Sequence, residues 1–132
     1  MKKAKPAKPT EAELSILKVL WRQGPCTVRQ VWDQISPEQR TGYTTVLKIM
    51  QIMAEKGLLI RSERFRSHVY EAGVPKEQTQ KQLAGDLLKR AFEGSAKSLV
   101  MGALAAQSTS SEELAEIRKM LDAFAKEKGA SR

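Results

Sequence analysis

The chain is 132 residues long, 41% hydrophobic but only 5% aromatic, and carries a formal net charge of +8. This length holds one domain, or one small domain with an appendage, and the longest apolar stretches fall far short of a membrane span. A single cysteine, Cys26, excludes an intramolecular disulfide framework and cannot alone build a thiolate metal site.

Residues 1–9 mix lysine with alanine and proline. Their charge is like the start of a signal peptide, but no apolar segment stands behind it, so a disordered basic arm on a cytoplasmic protein is expected. Thr10-Glu11-Ala12-Glu13 then reads as a capping box, with a hydroxyl at the N-cap and a carboxylate three residues on. The helix it opens turns Leu14, Leu17, Leu20 and Trp21 inward and ends near Gln23-Gly24-Pro25. A second helix starts the same way at Thr27, with Gln30 at the capping-box offset, and carries Val28, Val31, Trp32 and Ile35. Ser36-Pro37-Glu38-Gln39-Arg40 is expected to be the loop that follows.

The third helix, from Tyr43 to Lys56, is the most informative. Val46, Ile49, Met50 and Met53 recur at i, i+3, i+4 and i+7, one buried stripe of an α-helix. Thr44, Thr45, Lys48, Gln51 and Glu55 fall together on the opposite face. Hydroxyl, amide and ammonium groups are the chemistry that meets base edges and phosphates. Gly57 stops the helix, since glycine tolerates a left-handed C-cap. Leu58–Glu63 and Ser67–Ala72 read as strands around Arg64-Phe65-Arg66, a tip too long and bulky for a two-residue turn. Helix, stop, strand and basic hairpin is the order of a winged helix-turn-helix, predicted over residues 10–75.

After Pro75 the pattern is helical throughout. Leu83, Leu87, Leu88, Ala91 and Phe92 form one stripe, broken at Glu93-Gly94. Ser95 opens a helix with Leu99, Val100 and Leu104, and Ser110-Ser111-Glu112-Glu113, another capping box, opens one with Leu114, Ile117, Leu121 and Phe124. Residues 76–128 are too few to bury three apolar stripes alone. They need a partner, and a second copy of the chain is expected, with Leu87, Phe92, Leu99, Val100, Leu104, Leu114, Ile117 and Leu121 in the contact. The predicted fold class is mainly α with a small β-hairpin wing and a C-terminal helical dimerisation domain.

Charge divides unevenly between the two parts. Residues 1–75 hold 13 Lys/Arg against 7 Asp/Glu, and residues 76–132 hold 10 against 8. A basic N-terminal half supplies sequence-independent affinity for nucleic acid through counterion release. Ribosomal and membrane-surface proteins are basic too, so charge alone does not choose among them.

The order and the residues together resemble the penicillinase-repressor family of bacterial transcriptional regulators (the BlaI/MecI/CopY type). The resemblance rests on Thr10-Glu11-Ala12-Glu13-Leu14, Leu20-Trp21, Gly24-Pro25-Cys26-Thr27-Val28, Tyr43-Thr44-Thr45-Val46-Leu47, Glu55-Lys56-Gly57-Leu58-Leu59 and Arg66-Ser67-His68-Val69-Tyr70. Phe92-Glu93-Gly94-Ser95, Ser98-Leu99-Val100 and Glu112-Glu113-Leu114 extend it to about residues 10–125. It implies a winged-helix domain, a helical dimerisation domain and a palindromic operator. Many members carry Thr then Arg where this chain has Lys48 and Ile52, which implies a different operator. Antibiotic-responsive members, whose further partner is a membrane-bound sensor protease, are cut at an Asn-Phe bond; Gly102-Ala103 stands there. The C-terminal cysteine cluster of the copper-responsive members has no counterpart.

Lys48, Thr44, Thr45 and Gln51 are the candidates for the major groove, since lysine donates to guanine and glutamine pairs bidentately with adenine. The plainer alternative is a solvated helix face. Ile52 either touches a thymine methyl or packs on a neighbouring helix. Tyr43 either donates to a phosphate at the helix start or packs on the second helix. Arg40 joins these candidates from the preceding loop. Thr27 is a cap whatever else it does, and Arg29 binds phosphate or pairs with a nearby carboxylate. Arg64, Arg66 and His68 form an alternating basic wing for phosphate or minor groove; the alternative is a charged edge that discourages strand addition. Trp21, Trp32, Met50, Met53 and Met101 are read as core.

No catalytic constellation, Gly-rich phosphate loop or metal-ligand spacing emerges. Ser95, Lys97 and Ser98 lie on a helix whose spacing packing already explains. The expected protein is a DNA-binding homodimeric repressor rather than an enzyme, with no cofactor and no metal. A winged-helix protein-interaction module and a non-specific DNA-coating protein are the alternatives.

Overall fold

Side-chain caps begin the first two helices. In the computed structural model, which describes residues 8–64 and 66–130, α1 (Glu11–Gln23) opens on a complete capping box between Thr10 and Glu13. Residues 1–7 of the expected arm lie outside that description; Pro9, assigned to the arm, is buried beside the N-cap. α1 ends at Gly24, whose φ of 83° lets its N–H reach the Leu20 carbonyl. Its buried face is Ile16, Leu17, Val19 and Leu20 with Glu13. Leu14 and Trp21, expected inside, are only half-buried.

α2 (Val28–Gln39) opens on the second capping box, Thr27 with Gln30. It runs through the segment read as a loop. Pro37 lies inside the helix, which ends at Arg40 in the left-handed region. Proline removes one N–H from the ladder, but the Arg40 N–H still reaches the Ser36 carbonyl at 3.0 Å and Gln39 Nε2 donates to Ser15 Oγ of α1 at 2.7 Å. The last turn is therefore held by a neighbouring helix as well as by its own backbone.

α3 (Tyr43–Lys56) buries Val46, Met50 and Met53 and stops at Gly57, φ 88°. β1 (Leu59–Arg64) and β2 (Ser67–Ala72) follow as an antiparallel hairpin, Leu59 opposite Ala72 and Arg64 opposite Ser67. Two residues thus connect the strands, where a longer tip was expected. Arg66, the second residue of that connection, takes a positive φ of 65°. Cys26 adds a single antiparallel bridge to Tyr70, with N–H···O distances of 2.9 and 2.8 Å. The segment between α1 and α2 thereby ties the hairpin to the helices. Burial also pushes the Cys26 thiol pKa up, which keeps it in the unreactive protonated form.

The core joins α1, α2, α3 and the base of the hairpin through Ile16, Leu17, Val31, Val46, Met50 and Tyr70. α4 (Lys76–Ala91) follows, and a first compact unit ends inside it at Gly85. The buried Thr79 marks those early turns, assigned from sequence to the helical part, as packed with the winged helix. The second unit comprises the rest of α4, α5 (Ala96–Ala106) and α6 (Ser111–Ala130). Glu93 and Gly94 both take positive φ and turn the chain between α4 and α5. Ser95 and Ser110 hydroxyls cap the next two helices by accepting from Ser98 N and Glu113 N. Met101, read as core, is 59% exposed, because this unit encloses no interior of its own.

Two predictions follow from the packing. A Cβ on Gly73 would sit 2.7 Å from the Gly57 carbonyl oxygen, backbone that cannot swing aside. Gly73→Ala is expected to destabilise the first unit by about 1–3 kcal/mol, read as a lower thermal midpoint by circular dichroism. Glu13, its side chain 5% exposed, meets Lys56 Nζ at 2.7 Å. Burial alone would raise its pKa, but the Lys56 bond and charge, with the Thr10 hydrogen bonds, hold it below the ordinary 4.5. A depressed carboxylate contributes stability above its unfolded pKa and loses it as pH falls through the folded one. Urea unfolding should therefore show wild type losing more stability than Glu13→Gln as pH drops from neutrality to below about 4.5.

Candidate nucleic-acid interface

The start of α3 is built by α2. Trp32 Nε1 donates to the Thr41 carbonyl at 2.7 Å, fixing the turn before the helix. Tyr43 then meets the Trp32 ring edge-on, with centroids 5.9 Å apart and planes at 86°. Trp32, read from sequence as plain core, is half-buried and serves as the brace of this turn. The N-cap Gly42 offers no side-chain hydrogen bond, so the first-turn N–H groups keep their capacity for an outside acceptor such as phosphate.

From that start, the helix presents its polar face outward. Thr44, Thr45, Lys48, Gln51 and Glu55 are all exposed, above the fully buried Val46, Met50 and Met53. Ile52 shares this outer face at 39% exposure, and Tyr43 keeps 41% of its surface despite touching Trp32. Packing on α2 and an accessible ring thus coexist at Tyr43. Arg40, the exposed C-cap of α2, stands just before α3.

Candidates on α2 are already engaged within the fold. The Thr27 hydroxyl accepts from Gln30 N at 3.2 Å as a cap. Arg29 lies 3.5 Å from the Asp33 carboxylate and 5.5 Å from the Trp32 ring centroid. Of its two sequence alternatives, the carboxylate pairing is the one formed. The pair is exposed, so it is weak, and an incoming phosphate can compete for the guanidinium.

The wing divides its candidates. In an antiparallel pair, opposed residues share a face and neighbours along a strand alternate. Arg64 opposes Ser67 on one face, while His68 opposes Glu63 on the other. The single basic wing expected from the spacing therefore splits, because the two-residue connection sets the register. His68 Nε2 lies 3.4 Å from Glu63 Oε2, and Arg66 sits at the tip.

Arg61 is the residue that the sequence reading missed. It shares the face of Glu63 and His68 by register. With Gln51, Glu55, Leu59 and Ile60 it lines a groove of about 700 Å³ between α3 and β1. Three arginines fall in the strand segment, and only the tertiary placement of β1 beside α3 separates this one from the others. Among the described residues no cluster of His, Cys, Asp or Glu could hold a metal ion, and no helix is long and apolar enough to cross a membrane.

This geometry has known counterparts. A family model described as penicillinase repressor matches residues 9–123. The chain is 23% identical over 113 residues to the penicillinase repressor of Bacillus licheniformis, spanning 86% of this chain and 88% of that one. It is 32% identical over 82 residues to the transcriptional regulator BlaI of Mycobacterium tuberculosis, 61% of this chain and 59% of that protein. The solution structure of the DNA binding domain of the repressor BlaI shares the fold, with a TM-score of 0.50 at 22% identity, covering 56% of this chain and 90% of that one. With the family match running across both units, the chain belongs to the penicillinase repressor family, transcriptional repressors with a winged-helix DNA-binding domain and not enzymes.

Proposed function

We propose that the protein represses transcription as a homodimer on a palindromic operator, each copy laying α3 in a major groove with its wing against the backbone. The observation that carries this reading is the exposed polar face of α3 above a fully buried stripe. In the reading, Lys48, Thr44, Thr45 and Gln51 meet base edges, and Ile52 offers an apolar contact to a thymine methyl. Tyr43, Thr27, Arg29 and Arg40 contact phosphates near the start of α3, while Arg64, Arg66 and His68 reach the backbone from the wing. Gel-shift titrations against DNA upstream of its own gene test it. Affinity should fall by about 0.9 log unit per log unit of salt for each neutralised phosphate. Lys48→Ala should lower operator affinity by about 1–3 kcal/mol while leaving scrambled duplex nearly unaffected. Equal binding to scrambled duplex would leave only DNA coating, and no binding to DNA would leave a protein-interaction module.

Support for the dimer comes from the second unit. None of its described side chains is buried: Phe92, Leu99, Leu104 and Ile117 are half-buried, while Leu87, Val100, Leu114 and Leu121 are exposed. Apolar surface of this kind is stable when a second copy covers it. Two copies joined there set the separation of their α3 helices at about one helical turn of DNA or a little more. A membrane-bound sensor protease would be a further partner were the chain induced as the antibiotic-responsive members it resembles are, though their cut bond is replaced here. Gly102-Ala103 lies within α5, and that helix must open locally before any cut there. Sedimentation equilibrium should give a dimer for wild type and a shift toward monomer for Leu121→Glu; a monomeric wild type would remove the two-fold arrangement.

A further inference from the structure

α1 carries two apolar stripes, and the core uses one of them. Leu14 and Trp21 belong to the second, which also presents Lys18 and Arg22. Opposite them, Lys76 and Leu83 of α4 close a groove of about 460 Å³. Gln80 stands between those two. All of these residues belong to the first unit. The volume is that of a small-molecule site. The groove is also short: Leu14 to Trp21 spans about 10 Å at 1.5 Å per residue, too little for a docked helix with several anchors.

Its chemistry is one-sided. Leucine side chains and an indole form the walls, three cations surround them, and no carboxylate is among the lining residues. Among the described residues, Lys18, Arg22 and Lys76 enter no ion pair. Lys18 and Arg22 stand at i and i+4, where like charges repel on a helix. An anion between them relieves that repulsion. Trp21 Nε1 donates to the Val74 carbonyl at 3.0 Å, so the indole is held in place with its one donor engaged. What it offers a ligand is hydrocarbon surface.

We propose that this groove binds a small aromatic carboxylate, its ring against Trp21, Leu14 and Leu83 and its carboxylate on Lys18 and Arg22. Aromatic stacking supplies the apolar contact, and the guanidinium supplies paired donors for the carboxylate. Because the groove spans α1 and the early turns of α4, an occupant bears on the helix that leaves the DNA-binding unit. Any effect on operator affinity rests on the proposed function, so binding is measured first without DNA.

The test uses the full-length protein with naphthoate as the probe, followed by tryptophan fluorescence and calorimetry. Naphthoate should bind saturably, one per chain. The neutral isostere naphthalenemethanol should bind about tenfold more weakly, as should naphthoate to the double variant Lys18→Gln/Arg22→Gln, whose thermal midpoint does not fall. Absence of saturable binding, equal affinity for the neutral isostere, or indifference to the double variant would overturn the proposal. A double variant that altered the sedimentation mass instead of naphthoate affinity would give the groove to a second copy, and overturn it too. Saturable, charge-dependent binding by a chain that ignores DNA supports the groove while removing the repressor reading, so the two fail separately.

Discussion

Burial of the inner stripe of α3 is the constraint on which the rest depends. Val46, Met50 and Met53 are each wholly removed from solvent, and full burial of side chains of this kind contributes about 1.5–3 kcal/mol apiece. Rotating the helix about its axis would expose that stripe and bury Thr44, Lys48 and Gln51 without partners. The penalty on both sides makes the outward face of α3 a fixed feature of the fold.

Both ends of the same helix are held from outside it. At its start, Trp32 of α2 grips the Thr41 carbonyl and meets the Tyr43 ring in a T-shaped contact. At its end, Lys56 reaches Glu13, the residue that also completes the cap of α1. One carboxylate therefore starts α1 and anchors the close of α3. Gly57, Leu58 and Gly73 bring the hairpin back at backbone contact distance, and the Cys26–Tyr70 bridge holds its base. These contacts sit where α3 could otherwise swing.

The two units use their apolar residues in opposite ways. The first encloses Ile16, Leu17, Val31, Val46 and Tyr70 almost completely. The second turns Met101, Met120, Leu121 and Phe124 outward, Phe124 at 67% exposure. Within it, Phe92 packs close to Gly102, where a Cβ would lie 3.4 Å from the ring, so the helices touch without enclosing an interior. The first unit is thus a closed core, and the second leaves its apolar side chains at the surface.

Much of this was legible from residues alone, where the signal is local. Capping boxes at Thr10 and Thr27, the C-cap at Gly57, the break at Glu93-Gly94 and the α3 stripe all depend on neighbours within a few positions, and each formed as expected save that Ile49 of the stripe is only half-buried. What failed depends on contacts distant in sequence. Pro37 stays helical with Gln39 bonded to Ser15, Trp32 is a brace because Thr41 lies within reach, and Leu14 and Trp21 leave the core for a groove that α4 completes. The wing shows the limit most plainly. Composition revealed a basic hairpin, but a change of one residue in its register moves every side chain to the other face. Local sequence determined which helices and strands exist and which stripe of α3 is apolar. The length of the turn, set within a few residues, parted Arg64 from His68; only tertiary packing decided that Arg61 stands beside Gln51, because the meeting of β1 with α3 rests on contacts no short stretch of sequence contains.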